Sequence, residues 1–159
     1  MARLSLLLML VASLLLSSCG FHLRGDLPLS HFPAMYIQSD RHSELAALVS
    51  ERLSYNKVQV LDSYQQAAPM LQLQSDTLER RTLSLFPNGQ VAEYELIYKV
   101  RYQLTMPDGE PQPYQFELYR DYQDDPNQAL AKAKELELML DELRQQAANR
   151  ILRQLARLH

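Results

Sequence analysis

The chain has 159 residues, of which 47% are hydrophobic and 22% charged, and its formal net charge at pH 7 is −3. This length accommodates one domain with one core, and the composition excludes a disordered or collagen-like chain. The small negative charge provides no overall attraction to nucleic acid or to an acidic membrane surface, so any anion-binding site must be local.

The N-terminal segment has the composition of a secretory signal. Arg3 precedes an apolar run at residues 4–16, and this run is too short to cross comfortably a hydrocarbon core of about 30 Å. A core helix is the alternative, but a helix that is apolar all round leaves a globular domain no polar face to present to water. We therefore predict a signal peptide at residues 1–18 that takes no part in the fold.

Cys19 is the only cysteine of the chain, and it follows the signal directly in the sequence Leu16-Ser17-Ser18-Cys19. This motif resembles the lipobox of bacterial lipoproteins. In that family the cysteine becomes the first residue of the mature chain and carries acyl chains, and two or three such chains anchor a protein stably. The resemblance implies lipidation of Cys19. In such lipoproteins an aspartate after the cysteine retains the protein at the inner membrane, and this chain has Gly20 there, which implies that the protein is located at the outer membrane. A small buried cysteine is the alternative.

The next segments predict an anchor leader and a short βαβ unit. Residues 19–33 contain two prolines and suit an extended leader, which places the domain at residues 34–159. A strand at residues 34–39 is followed by a helix that Asp40 can cap and that ends near Tyr55, and then by a strand at residues 57–61. We expect the crossover of this unit to be right-handed.

The middle of the chain predicts an antiparallel meander of three long strands. Residues 70–86 alternate in polarity and lead to Asn88-Gly89, a strong hairpin signal. From Tyr94 to Met106 every second side chain is apolar or aromatic, which is typical of a strand with one buried and one wetter face. A turn at residues 108–109 then leads to the third strand at residues 114–122.

The C-terminal segment predicts a long helix. After Pro126, apolar residues recur at helical spacing to the end of the chain, which gives a helix on the order of 45 Å long at about 1.5 Å per residue. Two amphipathic helices are thus available to cover the apolar face of the sheet. The predicted fold class is α+β, a two-layer sandwich of a mixed four- to five-stranded sheet with an antiparallel meander and two helices on one face.

Motifs for catalysis are scarce. The four histidines are scattered, there is no second cysteine, and no zinc-protease, nucleophile-elbow or phosphate-loop motif occurs. We therefore predict no metal, no cofactor and no enzyme activity. Glu93 and Glu95 share a strand face and form a candidate acid-base pair for glycan cleavage, and two solvated carboxylates are the alternative interpretation.

Basic residues are the more informative group. Lys99 and Arg101 share the wetter face of the second long strand, Arg80 and Arg81 lie on the strand before it, and Lys132 lies in the first turns of the last helix. Free amide groups add positive potential at that helix end. These cations form either a solvated face or a local anion site.

Three separated motifs resemble one family over nearly the whole chain. "CGFHLRG" (residues 19–25), "FPNGQVAEYEL" (residues 86–96) and "YRDYQDDPNQALAKAKE" (residues 119–135) look like the LPS-assembly lipoprotein family, LptE. The resemblance implies an outer-membrane lipoprotein that plugs the LptD β-barrel, assists its assembly and binds lipopolysaccharide during delivery to the outer leaflet. It implies no nucleic-acid partner. The alternatives are an assembly lipoprotein for another barrel and an envelope glycan hydrolase.

The resemblance also implies a ligand site. The lysine of the family's "ALAK" element falls on Lys132, which implies contact with lipopolysaccharide there. The family often has an arginine before "NGQ", where this chain has Pro87, and this departure weakens the transferred site. Nearby cations on the meander are candidates to compensate. The predicted lipopolysaccharide-binding residues are Lys132, Lys99, Arg101 and Arg81.

Overall fold

The computed structural model describes residues 27–158, so the signal peptide, Cys19 and the first part of the leader lie outside the described residues. The elements are β1 (Ala34–Gln38), α1 (Glu44–Tyr55), β2 (Gln59–Leu61), β3 (Met70–Leu85), β4 (Val91–Thr105), β5 (Gln112–Gln123) and α2 (Ala129–Leu155), and a 3₁₀ turn (Pro126–Gln128) precedes α2. The predicted α+β class, with two helices and a mixed sheet, is confirmed.

The five strands form one sheet in the order β2-β1-β3-β4-β5. β1 is parallel to both β2 and β3, whereas β3, β4 and β5 are antiparallel neighbours. The predicted βαβ unit is therefore β1-α1-β2, and the predicted meander is β3-β4-β5. The two parts join through β1 and β3, a pairing that periodicity alone does not predict.

α1 begins later than Asp40, so the prediction of that cap is wrong. The cap is Ser43, whose side-chain oxygen accepts a hydrogen bond from the backbone N–H of Ala46 at 3.1 Å. Asp40 instead accepts the N–H of Ser43 through its backbone carbonyl. The strand β2 is also shorter than predicted, because Lys57 has a φ of 66° and belongs to the turn after α1.

The long strand β4 separates two faces of the sheet. Its covered face, which lies under the helices, carries Tyr94, Leu96, Tyr98, Val100, Tyr102 and Leu104, and its open face carries Glu93, Glu95, Ile97, Lys99, Arg101 and Gln103. Met106 departs from the predicted buried set with 42% exposure. The strand has ended at Thr105, and the carbonyl of Met106 accepts the N–H of Gly109 in the following turn.

The hairpin between β3 and β4 accommodates Pro87. The N–H of Gly89 donates to the carbonyl of Phe86 at 2.9 Å, and Gly89 has a φ of +84°. Proline in the second position and a left-handed glycine in the fourth suit a three-residue hairpin loop. Gly89 alone needs the positive φ, since Asn88 is not among the residues that adopt it.

The core lies between the sheet and the two helices, and α2 contributes to it unevenly. The fully buried residues of α2 all belong to its C-terminal half, and they are Leu143, Ala147, Ala148, Ile151, Leu152 and Leu155. Its N-terminal half, residues 129–142, buries no side chain fully. The described part of the leader also packs into the core, where Leu29 and Phe32 are each 1% exposed.

Candidate functional site

The sheet separates the four predicted ligand-binding cations into two groups. Arg81, Lys99 and Arg101 lie on the open face, as their cross-strand partners show. Lys132 lies on the other side, in the helix layer, where its backbone carbonyl accepts the hydroxyl of Tyr122 at 2.9 Å. The four residues therefore do not form one site.

The cations of the open face are paired with neighbouring strands. Lys99 Nζ lies 2.8 Å from Glu79 and 3.8 Å from Glu117, and the hydrogen bond with Glu79 raises the pKa of Lys99. Arg101 donates from Nε to the hydroxyl of Ser75 at 3.0 Å. This face is polar, and much of its charge is neutralised locally.

The two carboxylates considered as an acid-base pair also lie on the open face and take part in cross-strand contacts. Glu93 accepts hydrogen bonds from the hydroxyl of Ser84 at 2.8 Å and from the amide of Gln123 at 3.4 Å. Glu95 forms an ion pair with Arg81 at 2.5 Å. These contacts give both carboxylates a structural role in holding β3, β4 and β5 together.

Lys132 is held by neighbours on its own helix and on β5. Its Nζ lies 2.8 Å from Glu135 and 5.4 Å from the centroid of the Tyr122 ring, and its side chain is 20% exposed. The hydrogen bond with Glu135 raises the pKa of Lys132, so the ammonium stays charged at neutral pH. The face of the Tyr122 ring also attracts the ammonium group electrostatically.

Lys134 provides a contrast two residues further along α2. Its Nζ pairs with Glu137 at 2.6 Å, and its side chain is 66% exposed. Both lysines thus have an i,i+3 carboxylate partner, but Lys132 alone of the two also contacts the aromatic ring of Tyr122. Lys134 is therefore a matched control for Lys132.

Lys132 lines an open groove of about 380 Å³ between the start of α2 and the far end of the meander. We call this the Lys132 groove. Its lining combines the apolar side chains of Leu83 and Met139 with the polar residues Glu93, Asp121, Tyr122, Gln123, Lys132 and Glu135. The groove therefore places the mostly buried cation of Lys132 close to two apolar side chains and several polar ones.

Arg80 lies near the same groove, whereas Arg81 does not. Arg80 pairs with Leu96 on the covered face, and its guanidinium carbon lies 6.0 Å from the ring centroid of Tyr94. Its charge also acts to lower the pKa of Tyr122, against the larger effect of burial, which raises that pKa. Of the two adjacent arginines, Arg80 is thus the one that adds positive potential beside Lys132.

Asp125 caps the 3₁₀ turn that precedes α2. Its carboxylate accepts the backbone N–H of Asn127 and the side-chain amide of Gln128, each at 2.9 Å. The hydrogen bond from the Asn127 backbone lowers the pKa of Asp125, so this cap is charged at neutral pH. It holds the 3₁₀ turn between β5 and the first residues of α2.

Two further observations on residues 27–158 concern metal ions and membrane spans. No group of three His, Cys, Asp or Glu side chains is placed to hold a metal ion in this part of the chain. Among the helices of the same residues, neither is long and apolar enough to cross a membrane. The predicted lipidation of Cys19 falls outside these residues.

Comparisons with known proteins give consistent matches. The profile of the LptE family, described as lipopolysaccharide-assembly, matches residues 32–155. The LPS-assembly lipoprotein LptE of Photorhabdus laumondii is 36% identical, over 99% of this chain and 87% of its own. The crystal structure of the rare lipoprotein B from Shewanella oneidensis is 49% identical, with a TM-score of 0.71, and covers 77% of this chain and 93% of its own.

A third match has a lower sequence identity. The solution structure of a lipoprotein B from Nitrosomonas europaea is 27% identical, with a TM-score of 0.71, over 86% of this chain and 90% of its own. The overall fold is thus shared with two solved lipoprotein structures.

Proposed function

The chain belongs to the LptE family of lipopolysaccharide-assembly lipoproteins, and we propose that it plugs the LptD β-barrel, assists the assembly of that barrel and binds lipopolysaccharide on its way to the outer leaflet. The Lys132 groove is the observation that carries the ligand part of this proposal. Lipidation at Cys19 would tether the protein to the outer membrane.

The chemistry of the Lys132 groove suits an anionic amphiphile. Lipopolysaccharide carries phosphates on an acylated disaccharide, so it offers negative charge beside hydrocarbon. Lys132 supplies positive charge in the groove, and Leu83 and Met139 supply apolar surface. The carboxylates of Glu93, Asp121 and Glu135 also line the groove, so the attraction for an anion is confined to the ammonium group of Lys132, where Arg80 adds positive potential from outside the lining. Charge-assisted hydrogen bonds to a phosphate are stronger than neutral ones, and the limited exposure of Lys132 reduces the competition from water.

The open face of the sheet supports the plug part of the proposal. A plug inside a barrel contacts an interior surface that is polar. The open face is polar across three strands, and two of its cations, Arg81 and Lys99, are paired with the carboxylates of Glu95 and Glu79. Such a face can contact a polar wall without leaving unpaired charges buried.

The ligand proposal is tested by charge reversal at Lys132. We expect Lys132→Glu to weaken binding of purified lipopolysaccharide by about tenfold or more, since a hydrogen bond between charged groups contributes about 1.5–3 kcal/mol. Lys134→Glu, which reverses an exposed charge two residues away, should leave the affinity close to that of the unchanged protein. Circular dichroism checks that both variants are folded. Equal affinities for both variants would contradict the assignment of Lys132.

The role of the open-face cations in ligand binding stays a prediction. A variant with Lys99, Arg101 and Arg81 all changed to Gln should weaken lipopolysaccharide binding if these residues contact the ligand. Since they lie across the sheet from Lys132, their contribution should add to that of Lys132→Glu. Unchanged affinity would limit the site to the Lys132 groove.

The partner is tested by purification from the native outer membrane. The tagged, full-length protein would be extracted in mild detergent, and the proteins that accompany it identified by mass spectrometry. We expect a near-stoichiometric LptD barrel. A different barrel would favour an assembly lipoprotein with another client, and recovery of the protein alone would contradict the plug proposal.

A further inference from the structure

A second groove lies near the C-terminal end of α2, far from Lys132. Its volume is about 440 Å³, and it lies between Leu118 of β5 and one flank of α2. Three arginines, Arg150, Arg153 and Arg157, line it together with neighbouring amide side chains. Lys132 and Arg150 are about 27 Å apart along the helix at about 1.5 Å per residue, so this arginine groove is distinct from the Lys132 groove.

The arginine groove contains surplus positive charge. No carboxylate lines it, and the sequence has no Asp or Glu after Glu142. Within residues 27–158, neither Arg153 nor Arg157 forms an ion pair. The helix dipole favours cations at this end of α2, but it does not supply partners for three guanidinium groups.

Arg150 connects the groove to the neighbouring strand. Its guanidinium carbon lies 4.5 Å from the ring centroid of Phe116, and its Nη1 lies 3.4 Å from the backbone carbonyl of Glu117. Arg150 therefore reaches from α2 to the backbone of β5. The side chain of Glu117 lies on the opposite face, near Lys99, and does not neutralise the groove.

β5 is an edge strand along the side of this groove. In the sheet formed by residues 27–158, β5 pairs with β4 and has no neighbour on its other side. It extends over twelve residues, Gln112–Gln123, and only Pro113 lacks a backbone N–H. Apart from the carbonyl of Glu117, which accepts from Arg150, this edge leaves a row of backbone donors and acceptors without a strand partner, and proteins commonly cover such edges.

We propose that the free edge of β5 and the arginine groove together bind an extended acidic segment of a polypeptide, which adds to the sheet as a further strand. The backbone of this segment pairs with β5, and its acidic side chains on the covered side contact the guanidinium groups. This is strand addition, in which backbone hydrogen bonds give affinity and side-chain contacts give specificity.

The spacing of the arginines fits such a strand. Along the helix axis Arg150 and Arg153 are about 4.5 Å apart, and Arg153 and Arg157 about 6 Å. In an extended chain, alternate side chains on one face repeat at about 6.7 Å. Long arginine side chains span the difference, so acidic residues at positions i and i+2 of the segment can each contact a guanidinium.

The edge favours a polypeptide over an anionic lipid or sugar. Phosphates and carboxylates of a glycolipid can neutralise Arg153 and Arg157, but they do not provide the alternating donors and acceptors that a free edge requires. The proposal does not depend on ligand binding in the Lys132 groove, so either can fail while the other stands.

The test uses the full-length protein in detergent and a synthetic peptide of alternating Glu and Thr with blocked ends. We expect the peptide to bind, and the double variant Arg153→Gln/Arg157→Gln to bind it about tenfold more weakly. The control variant Lys134→Gln removes an exposed cation elsewhere on α2 and should leave the affinity unchanged. Hydrogen exchange should show slower exchange of β5 backbone amides when the peptide is bound.

Two further probes separate pairing from simple charge attraction. A peptide with the same Glu residues but Pro in place of Thr cannot form the strand ladder, and we expect it to bind much more weakly. Equal binding of both peptides, no effect of the arginine variant, or binding without protection of β5 amides would overturn the proposal. Binding of anionic vesicles through Arg153 and Arg157, with no peptide binding, would also overturn it in favour of a lipid surface.

Discussion

Tyr98→Phe tests how the sheet is fixed beneath the helices. Tyr98 is 1% exposed, and its hydroxyl donates to Asp76 Oδ2 at 2.5 Å. The substitution keeps the aromatic ring and its packing but removes a hydrogen bond to a charged acceptor, a loss of about 1.5–3 kcal/mol. Asp76 is only partly buried, so water can replace the hydroxyl in part, and we expect a loss of about 1.5–2 kcal/mol.

The assay is urea unfolding followed by circular dichroism. In a thermal unfolding experiment, the same loss of stability in a domain of this size would lower the melting temperature by about 5–10 °C. Tyr114→Phe is the control, because the hydroxyl of Tyr114 donates to Gln112 at an exposed position, and it should have little effect. Asp76→Ala combined with Tyr98→Phe completes a double-mutant cycle. A loss below about 0.5 kcal/mol for Tyr98→Phe, or strictly additive effects in the cycle, would refute the reasoning.

Three further predictions concern pH, the hairpin and the core. Burial raises the pKa of Tyr102 to about 12 from a usual value of 10.0, so the folded protein retains a proton on Tyr102 that the unfolded chain releases. The contribution of Tyr102 to the free energy of unfolding should be unchanged below pH 10 and fall by about 2 kcal/mol from pH 10 to 12. Burial also raises the pKa of Tyr98, which adds to the total fall, so urea unfolding should show a fall that is smaller by about 2 kcal/mol in Tyr102→Phe than in the unchanged protein. Gly89→Ala should lower the stability by about 1 kcal/mol, because Gly89 has a positive φ that alanine adopts poorly. Thermal unfolding should show a smaller loss of stability for Gly89→Asn. Equal losses for the two variants would argue against the positive φ at this hairpin position. Ile151→Ala, at a fully buried position, should lower the free energy of unfolding by about 2–5 kcal/mol, as measured by chemical unfolding. Leu138→Ala, at an exposed position, should lower it little. Similar losses for the two variants would contradict the assigned packing of α2.

The long strands were predictable because their pattern has a period of two residues. Alternation in β4 gives its covered face directly, and Asn88-Gly89 marks the hairpin before it. The start of α1 was not predictable in the same way, since Asp40 and Ser43 are both suitable caps. The choice depends on where Leu45 and Val49 must lie to pack in the core, and this is a tertiary requirement.

The candidate groove was predictable only in part. The family motif identifies Lys132, but Leu83 and Met139 reach the same groove from elements far apart in the chain. Strand parity shows that Arg80 and Arg81 lie on opposite faces, but not which of them joins Lys132. Register shifts in the pairing of β3 with β4 change which face a residue occupies, so this choice required the structure.

The uneven burial of α2 has a consequence for how the Lys132 groove is maintained. Local opening of a segment requires little free energy where few side chains are buried, and residues 129–142 bury none fully. This half of the helix should therefore open more readily than the half around Ile151. A ligand that contacts both Lys132 and Leu83 would bind the closed form of this half. It would therefore lower the free energy of the closed form relative to the opened form. Ligand occupancy and the ordering of this half of α2 are then one linked equilibrium, and each promotes the other.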